Sequence, residues 1–371
     1  MATSFGELLD TLTVTGELYE KLEDDAVRCF ACGHRCVIRA GKRGICQVRF
    51  NEGGELRVPH GYVAALQSDP VEKKPFFHVM PGTNALTFGM LGCDFHCGYC
   101  QNWLTSQAMR DPNSDVAANL VRKMTPQEMV HLAHQTNASV VVSSYNEPLI
   151  TSEWAVEIFK AAKAAGLMCA YVSNGNNTPE VMEYIRPYIS AYKVDLKCMQ
   201  DKSYRKLGGV LQNTLDGIKR AHEMGLWVEI VTLTIPGFND SNEELWDAAR
   251  FIAGVSKDIP WHVTAFHKDY KMTDPDNTDA KTLLRAAEIG REAGLRYVYA
   301  GNLPGQVGEY EDTYCPQCNY RLIQRSGYVI REYHLTGQGT CPNCNSKVPG
   351  LWHNDPSKVV LNGLGMPLPI T

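Results

Sequence analysis

The chain has 371 residues, enough for two domains or for one barrel with attachments. Its 44% hydrophobic content supplies a sizeable core, and a net charge of −5 argues against a nucleic-acid partner. No apolar run approaches the about 18 residues that span a bilayer, and the first 29 residues carry acids early with no apolar core of a signal peptide. A cytoplasmic protein with no membrane partner is expected.

Residues 1–80 hold short, Gly-punctuated strand-like runs, and "DPVEKKPFFHVMPG" (69–82) reads as a Pro-rich connector, with "KKPFFH" open to a reading as a substrate lid. From about 84 to 300, strands alternate with helices. "NALTFGML" is an apolar strand. "TPQEMVHLAHQ" is a helix with Thr125 as N-cap, Pro126 at the first helical position and Glu128 closing a capping box. "ASVVVSSY", "LMCAYVSN", "AYKVDLK", "WVEIVTLTIPG", "WHVTAFH" and "RYVYAGN" are the later strands. Between them lie helices beginning near Thr151, Pro179, Asn213, Ser241 and Thr278, two of them stopped by Gly166 and Gly225. This alternation implies βαβ units and a parallel sheet. The expected α/β fold is a partial (β/α)6 TIM-like barrel over 81–305, with an N-terminal Cys-rich segment (1–80) and a C-terminal zinc-ribbon-like domain (306–371).

Thirteen cysteines in such a chain are poor candidates for disulfides. Cys29, Cys32, Cys36 and Cys46 form one group, Cys93, Cys97 and Cys100 a second, and Cys315, Cys318, Cys341 and Cys344 a third. Cys169 and Cys198 stand apart. Such grouping reads as metal binding. The middle group, "GCDFHCGYC", follows the first strand of the series, and barrel chemistry sits at the C-terminal ends of strands. A four-iron cluster usually takes one thiolate per iron, so three thiolates leave one iron open to a ligand.

Cys93-x3-Cys97-x2-Cys100, with Tyr99 before the last cysteine, resembles the radical SAM superfamily signature. The resemblance implies a [4Fe–4S] cluster on the three cysteines and S-adenosylmethionine (SAM) on the open iron. Further segments follow in the superfamily's order. "SYNEP" is similar to its Gly-Gly-Glu-Pro segment; Glu147 and Pro148 match, whereas Tyr145 and Asn146 stand where it has glycines. "VSNGN" and "VDLK" are similar to segments of glycyl-radical-enzyme activases. By this resemblance Tyr99, Asn146, Glu147, Ser173, Asn174, Asp195 and Lys197 are expected around SAM. Position at a strand end makes His267 a candidate for contact with SAM or substrate, and Cys198, just past the fourth strand, a candidate reactive thiol; these two are the catalytic candidates. From about Cys29 to Gly350 the chain resembles the AmmeMemoRadiSam-system radical SAM enzymes, homologues of pyruvate formate-lyase activating enzyme, through "CFACGHRC", "GCDFHCGYCQNW", "AFHKDYKM" and "YVYAGNLPG" among others. The implied electron donor is reduced flavodoxin or ferredoxin, and a protein substrate is one possibility.

"CPQC" and "CPNC", 22 residues apart, read as a closed zinc ribbon that could also dock a partner. For Cys29-x2-Cys32-x3-Cys36-x9-Cys46, the ribbon-like spacing favours zinc over a second iron–sulfur cluster. The bland readings weigh against single residues: free cysteines such as Cys169 and Cys198 are usually core, and Asn302 could as well cap a turn. Three functions compete. An activase takes hydrogen from a partner's glycine, a second kind of enzyme modifies another peptide or a small molecule, and a non-enzymatic scaffold would bind metals without SAM.

Overall fold

The computed structural model describes residues 5–370. Seven parallel strands build the central sheet: β1 (Asn84–Gly89), β2 (Ala138–Ser143), β3 (Met168–Ser173), β4 (Ala191–Asp195), β5 (Trp227–Thr234), β6 (Trp261–Ala265) and β7 (Val298–Gly301). They lie side by side in chain order. Six main helices connect them: α1 (Pro126–Gln135), α2 (Ser152–Ala164), α3 (Pro179–Ile185), α4 (Leu211–Glu223), α5 (Asn242–Val255) and α6 (Ala280–Glu292). Six strand–helix units and a last strand make the expected α/β partial barrel. The sheet stays open. Beyond β1 the strand Ala65–Pro70 adds antiparallel, and Leu368–Pro369 pairs with it at the edge.

Local chemistry accounts for the helix starts. The Thr125 side chain accepts from Glu128 N (3.2 Å), and Glu128 Oε2 accepts from Thr125 N (2.7 Å), which completes the expected capping box. At α3, α5 and α6 the Thr178, Ser241 and Asp279 side chains accept from the backbone N–H three residues on, a cap without the return bond. The strands are buried on both faces, so they read as nearly continuous apolar runs.

The 69–82 stretch is neither a loose connector nor a lid. Phe76, Phe77 and His78 are buried, and the segment plugs the lower end of the barrel. Glu229, on β5, accepts from Phe77 N (3.0 Å) and His78 N (2.9 Å), and also pairs with His262 Nε2 on β6 (2.7 Å). From the other side Arg325 donates to Phe77 O (2.9 Å), with its guanidinium 4.3 Å from the Phe77 ring centroid. Its prolines suggested a linker, but apolar burial and a carboxylate aimed at two backbone N–H groups fix the segment.

The N-terminal segment packs into the same core as the barrel, through Leu9, Leu18, Val27, Leu56 and Val58. Its polar anchor is Arg49, which forms a bidentate pair with Glu153 of α2 (2.7 and 2.8 Å). Both side chains are buried. Arg49→Ala would leave Glu153 charged and short of partners. It should cost about 3–5 kcal/mol, read as a lowered urea midpoint with the N-terminal segment exposed first in hydrogen exchange.

Candidate functional site

The C-terminal ends of the strands face one cavity of about 360 Å³. After β1 the chain turns at Gly92, whose φ of +90° suits glycine, and enters the cysteine loop. Cys93, Cys97 and Cys100 all line the cavity. Cys93 Sγ accepts from Phe95 N (3.3 Å), and Cys100 Sγ lies 3.1 Å from Ser106 Oγ. Burial raises all three thiols, Cys97 to about 12, so they need a metal to become thiolates at neutral pH. The loop is braced from a distant segment. Lys271 N donates to Gly98 O (2.8 Å), and Tyr270 stacks on Trp103 at 5.1 Å between ring centroids. "GCDFHCGYCQNW" and "AFHKDYKM" are therefore one assembly in space.

Asp94, between the first two cysteines, is fully buried. It accepts from Asn174 Nδ2 (2.7 Å) and Asn176 Nδ2 (2.8 Å) beyond β3, and His34 Nδ1 lies 3.6 Å away. His34 and these donors hold its carboxyl below the usual range despite burial. Glu147, after β2, accepts from Ser173 Oγ (2.7 Å), Asn174 N (2.7 Å) and Leu149 N (3.1 Å). Burial and the nearby Asp94 charge outweigh those donors and push Glu147 up to about 8.

Tyr145 resolves the departure from the glycine pair. It takes a φ of +67°, the left-handed conformation that glycine would supply. Its hydroxyl donates to Asp69 Oδ2 (2.5 Å) and lies 2.9 Å from Gln67 Oε1, which holds the strained residue in place. Asn146 Oδ1 accepts from Met90 N (3.0 Å). The backbone turn is kept, with side-chain hydrogen bonds in place of conformational freedom.

On β4, Asp195 bonds Lys193 Nζ and Lys197 Nζ, the latter at 2.8 Å. The two lysines hold its carboxyl well below the usual range. Glu72, Lys74, Lys193, His262 and Tyr299 line the same cavity. Lys74 pairs with Asp69, and burial lowers its ammonium to about 8. Asn302 and Tyr328 line the mouth.

A family model described as "Radical SAM superfamily" matches residues 88–252. Over 333 residues the chain is 35% identical to the uncharacterized protein MJ0808 of Methanocaldococcus jannaschii, covering 89% of this chain and 97% of that protein. The chain belongs to the radical SAM superfamily. It is also 24% identical over 249 residues to a pyruvate formate-lyase-activating enzyme of Staphylococcus aureus strain USA300, covering 61% of this chain and 93% of that enzyme. A radical SAM methyltransferase from Sphaerobacter thermophilus aligns with a TM-score of 0.47 at 14% identity, over 78% of each chain.

Radical SAM membership implies a [4Fe–4S] cluster and SAM, and the residues fit them. Three cysteines open on one cavity, and their sulfurs are not gathered within 4.8 Å of one another as ligands of a single ion would be. Of the residues singled out from sequence, Tyr99, Asn146, Glu147, Ser173, Asn174, Asp195 and Lys197 line the cavity. His267 and Cys198 do not. His267 is exposed and meets Gln101 Nε2 (2.8 Å), while Cys198 is buried behind the loop beside Tyr99 and Tyr204. Asp94 and Lys193 carried no assignment from sequence, and Lys74 entered only as part of "KKPFFH". Lys193 was recoverable, because it lies two residues before Asp195 and so shares its face of the strand.

The remaining cysteines divide clearly. Cys315 and Cys344 Sγ are 3.6 Å apart, Cys318 and Cys341 Sγ 3.7 Å, and all four gather within 4.8 Å. The unfolded Glu147 carboxyl ionises near 4.5 and the folded one near 8. Its protonated form therefore favours the cofactor-free fold, and that stability is lost as pH rises from about 5 to 8. Melting scans across this window should show a shallower decline for Glu147→Gln than for the unaltered protein.

Proposed function

We propose that this chain is an activating-enzyme-like radical SAM oxidoreductase. Its substrate would be a hydrogen donor at the barrel mouth, with a backbone glycine of a partner enzyme as the favoured class. The observation that carries the reading is the shared cavity: cluster cysteines, Glu147, Ser173, Asn174, Asp195 and Lys197 arrive from four successive strand ends onto one space. When bound and reduced, the cluster supplies the electron that cleaves SAM to a 5′-deoxyadenosyl radical.

The chain's own residues then have defined tasks. Cys93, Cys97 and Cys100 would hold three irons of the cluster. Glu147, with Ser173 and Asn174 fixed on it, would ionise beside the ammonium group of SAM and accept from it. Asp195, set between Lys193 and Lys197, offers acceptors at the opposite wall, and Lys197 adds positive charge near Cys97. Tyr99, packed edge-on against Phe238 (6.0 Å), would shield the cluster from solvent. The electron donor in this reading is a reduced flavodoxin or ferredoxin. Cys315, Cys318, Cys341 and Cys344 form a closed structural zinc site, since a tetrahedral thiolate site leaves no coordination position open. The segments 1–80, 81–305 and 306–371 serve as metal-binding, catalytic and ribbon units, in a cytoplasmic protein; no helix of the described residues is long and apolar enough to cross a membrane.

One observation favours a second substrate class. The cavity is also lined by Glu72, Lys74, His262 and Tyr299. Lys74, at about 8, can exchange a proton near neutral pH. Such a polar lining suits a small polar molecule or a peptide side chain.

The test is anaerobic. Protein reconstituted with iron and sulfide and reduced with dithionite should form 5′-deoxyadenosine from SAM, and Cys97→Ala should lower the yield at least 100-fold, given about 100-fold or larger losses for removed catalytic groups. With a partner enzyme present, a protein-centred doublet in the EPR spectrum identifies glycine abstraction; deoxyadenosine without that doublet points to the small-substrate class. A folded protein with no cluster signal and no deoxyadenosine would leave only the scaffold.

A further inference from the structure

The four N-terminal cysteines take no part in the cavity, yet they form one knot. Strand Val27–Cys29 runs antiparallel to Val37–Ile38, and Cys29 N donates to Cys36 O (3.0 Å). Cys36 Sγ in turn accepts from Ile45 N (3.5 Å), which brings Cys46 alongside. Cys32 lies in the tight turn between, where Arg35 N donates to its carbonyl (3.1 Å). Cys29, Cys32 and Cys46 are buried, and none of the four is in a disulfide.

Sulfur spacing distinguishes what such a knot can hold. One zinc with sulfurs at about 2.3 Å in a tetrahedron brings those sulfurs to about 3.8 Å from one another. The C-terminal set meets this, with pairs at 3.6 and 3.7 Å and all four within 4.8 Å. In the N-terminal set no three sulfurs come within 4.8 Å of one another among the described residues. The same holds for Cys93, Cys97 and Cys100, whose family cofactor is a cluster. Thiolates bound to separate irons stand farther apart than thiolates sharing one ion. Within a single structure, the N-terminal cysteines thus group with the cluster cysteines and not with the ribbon.

A mixed single-ion site is the competing arrangement, since Cys32, His34 and Asp94 do fall within 4.8 Å. Asp94 argues against it. Its two oxygens already accept from Asn174 and Asn176, and His34 Nδ1, the nitrogen that faces Cys32 and Asp94, is itself met by Asn176 Nδ2 at 3.1 Å. The three groups are better described as a chain of contacts. Cys32 Sγ lies 3.6 Å from His34 Nδ1, His34 Nδ1 is 3.6 Å from Asp94 Oδ2, and Asp94 Oδ1 is 3.8 Å from Cys93 Sγ.

We propose that Cys29, Cys32, Cys36 and Cys46 hold a second iron–sulfur cluster, one thiolate to each of four irons, next to the SAM-binding cluster. This replaces the zinc that their spacing in sequence suggested. With every iron carrying a protein thiolate, this cluster has no position for SAM.

The full chain with Cys93, Cys97 and Cys100 all changed to Ala isolates the second site from the first. After anaerobic reconstitution it should retain iron and acid-labile sulfide at half the level of the unaltered protein. Its zinc content should match the ribbon alone, and dithionite should produce an EPR signal that SAM does not shift. The reciprocal Cys29→Ser/Cys36→Ser variant should also keep half the iron, with a signal that SAM does shift. Because both clusters meet across His34 and Asp94, the reduced unaltered protein should show a spectrum broadened beyond the sum of the two variants. A folded triple variant with zinc at both remaining sites and no sulfide, or with no second metal, would overturn the proposal. If the triple variant keeps all the iron of the unaltered protein, the second cluster stands and it is the SAM-binding reading above that fails.

Discussion

A buried carboxylate must find donors, and Asp94 organises the site by that requirement. It sits between two cysteines of the loop, has no exposed surface, and draws Asn174, Asn176 and His34 onto itself. The loop is thereby tied to the end of β3 and to the N-terminal segment at one point. Asn174 carries the constraint onward, because its backbone N–H goes to Glu147. Ser173 repeats the link from its side chain and receives Tyr192 OH at 2.9 Å. Partly satisfied buried networks are costly, so positions along this line are not independent, and a change at Asp94 would reach Glu147 at the end of the neighbouring strand.

Much of this was legible in the sequence, for identifiable reasons. The alternation of strands and helices is written in local periodicity, and caps such as Thr125 with Glu128 are local as well. The cluster loop was legible because its ligands lie within eight residues. The order of "SYNEP", "VSNGN" and "VDLK" follows from βα topology, which delivers successive strand ends to one face. What escaped was long-range. Asp94 carries no local signal, because the groups that define its role, His34 and Asn176, come from distant parts of the chain. The 69–82 stretch looked like a linker because its prolines are local, while Glu229 and Arg325 are far away in the chain. His267 and Cys198 stand at plausible strand ends, but the side chains turn out of the cavity, a difference of rotamer and loop path that spacing does not carry.

The lower barrel shows the same economy of polar groups. Glu229 satisfies two backbone N–H groups, Trp227 Nε1 and His262 together. His78, one residue along the plug, spans Pro349 O and Tyr299 OH at 2.7 Å each, and burial lowers its imidazole to about 4. A neutral ring is thus fixed between ribbon and barrel. The plug, the strands and the ribbon share one polar core, so the ribbon is part of the barrel's floor and not a pendant.

The ribbon also reaches the top of the open side. Its hairpin turn, Gly327 and Tyr328, joins Asn302 and Glu311 in the cavity wall, with Tyr328 OH 3.5 Å from Asn302 Oδ1. A six-unit barrel left unclosed would admit a bulky visitor from its flank. Here part of the cavity wall is an aromatic side chain carried on the turn of the Arg321–Tyr333 hairpin. The hairpin that carries this turn is antiparallel and registers Ser326 with Val329, so any shift of that hairpin reshapes the wall of the cavity as well.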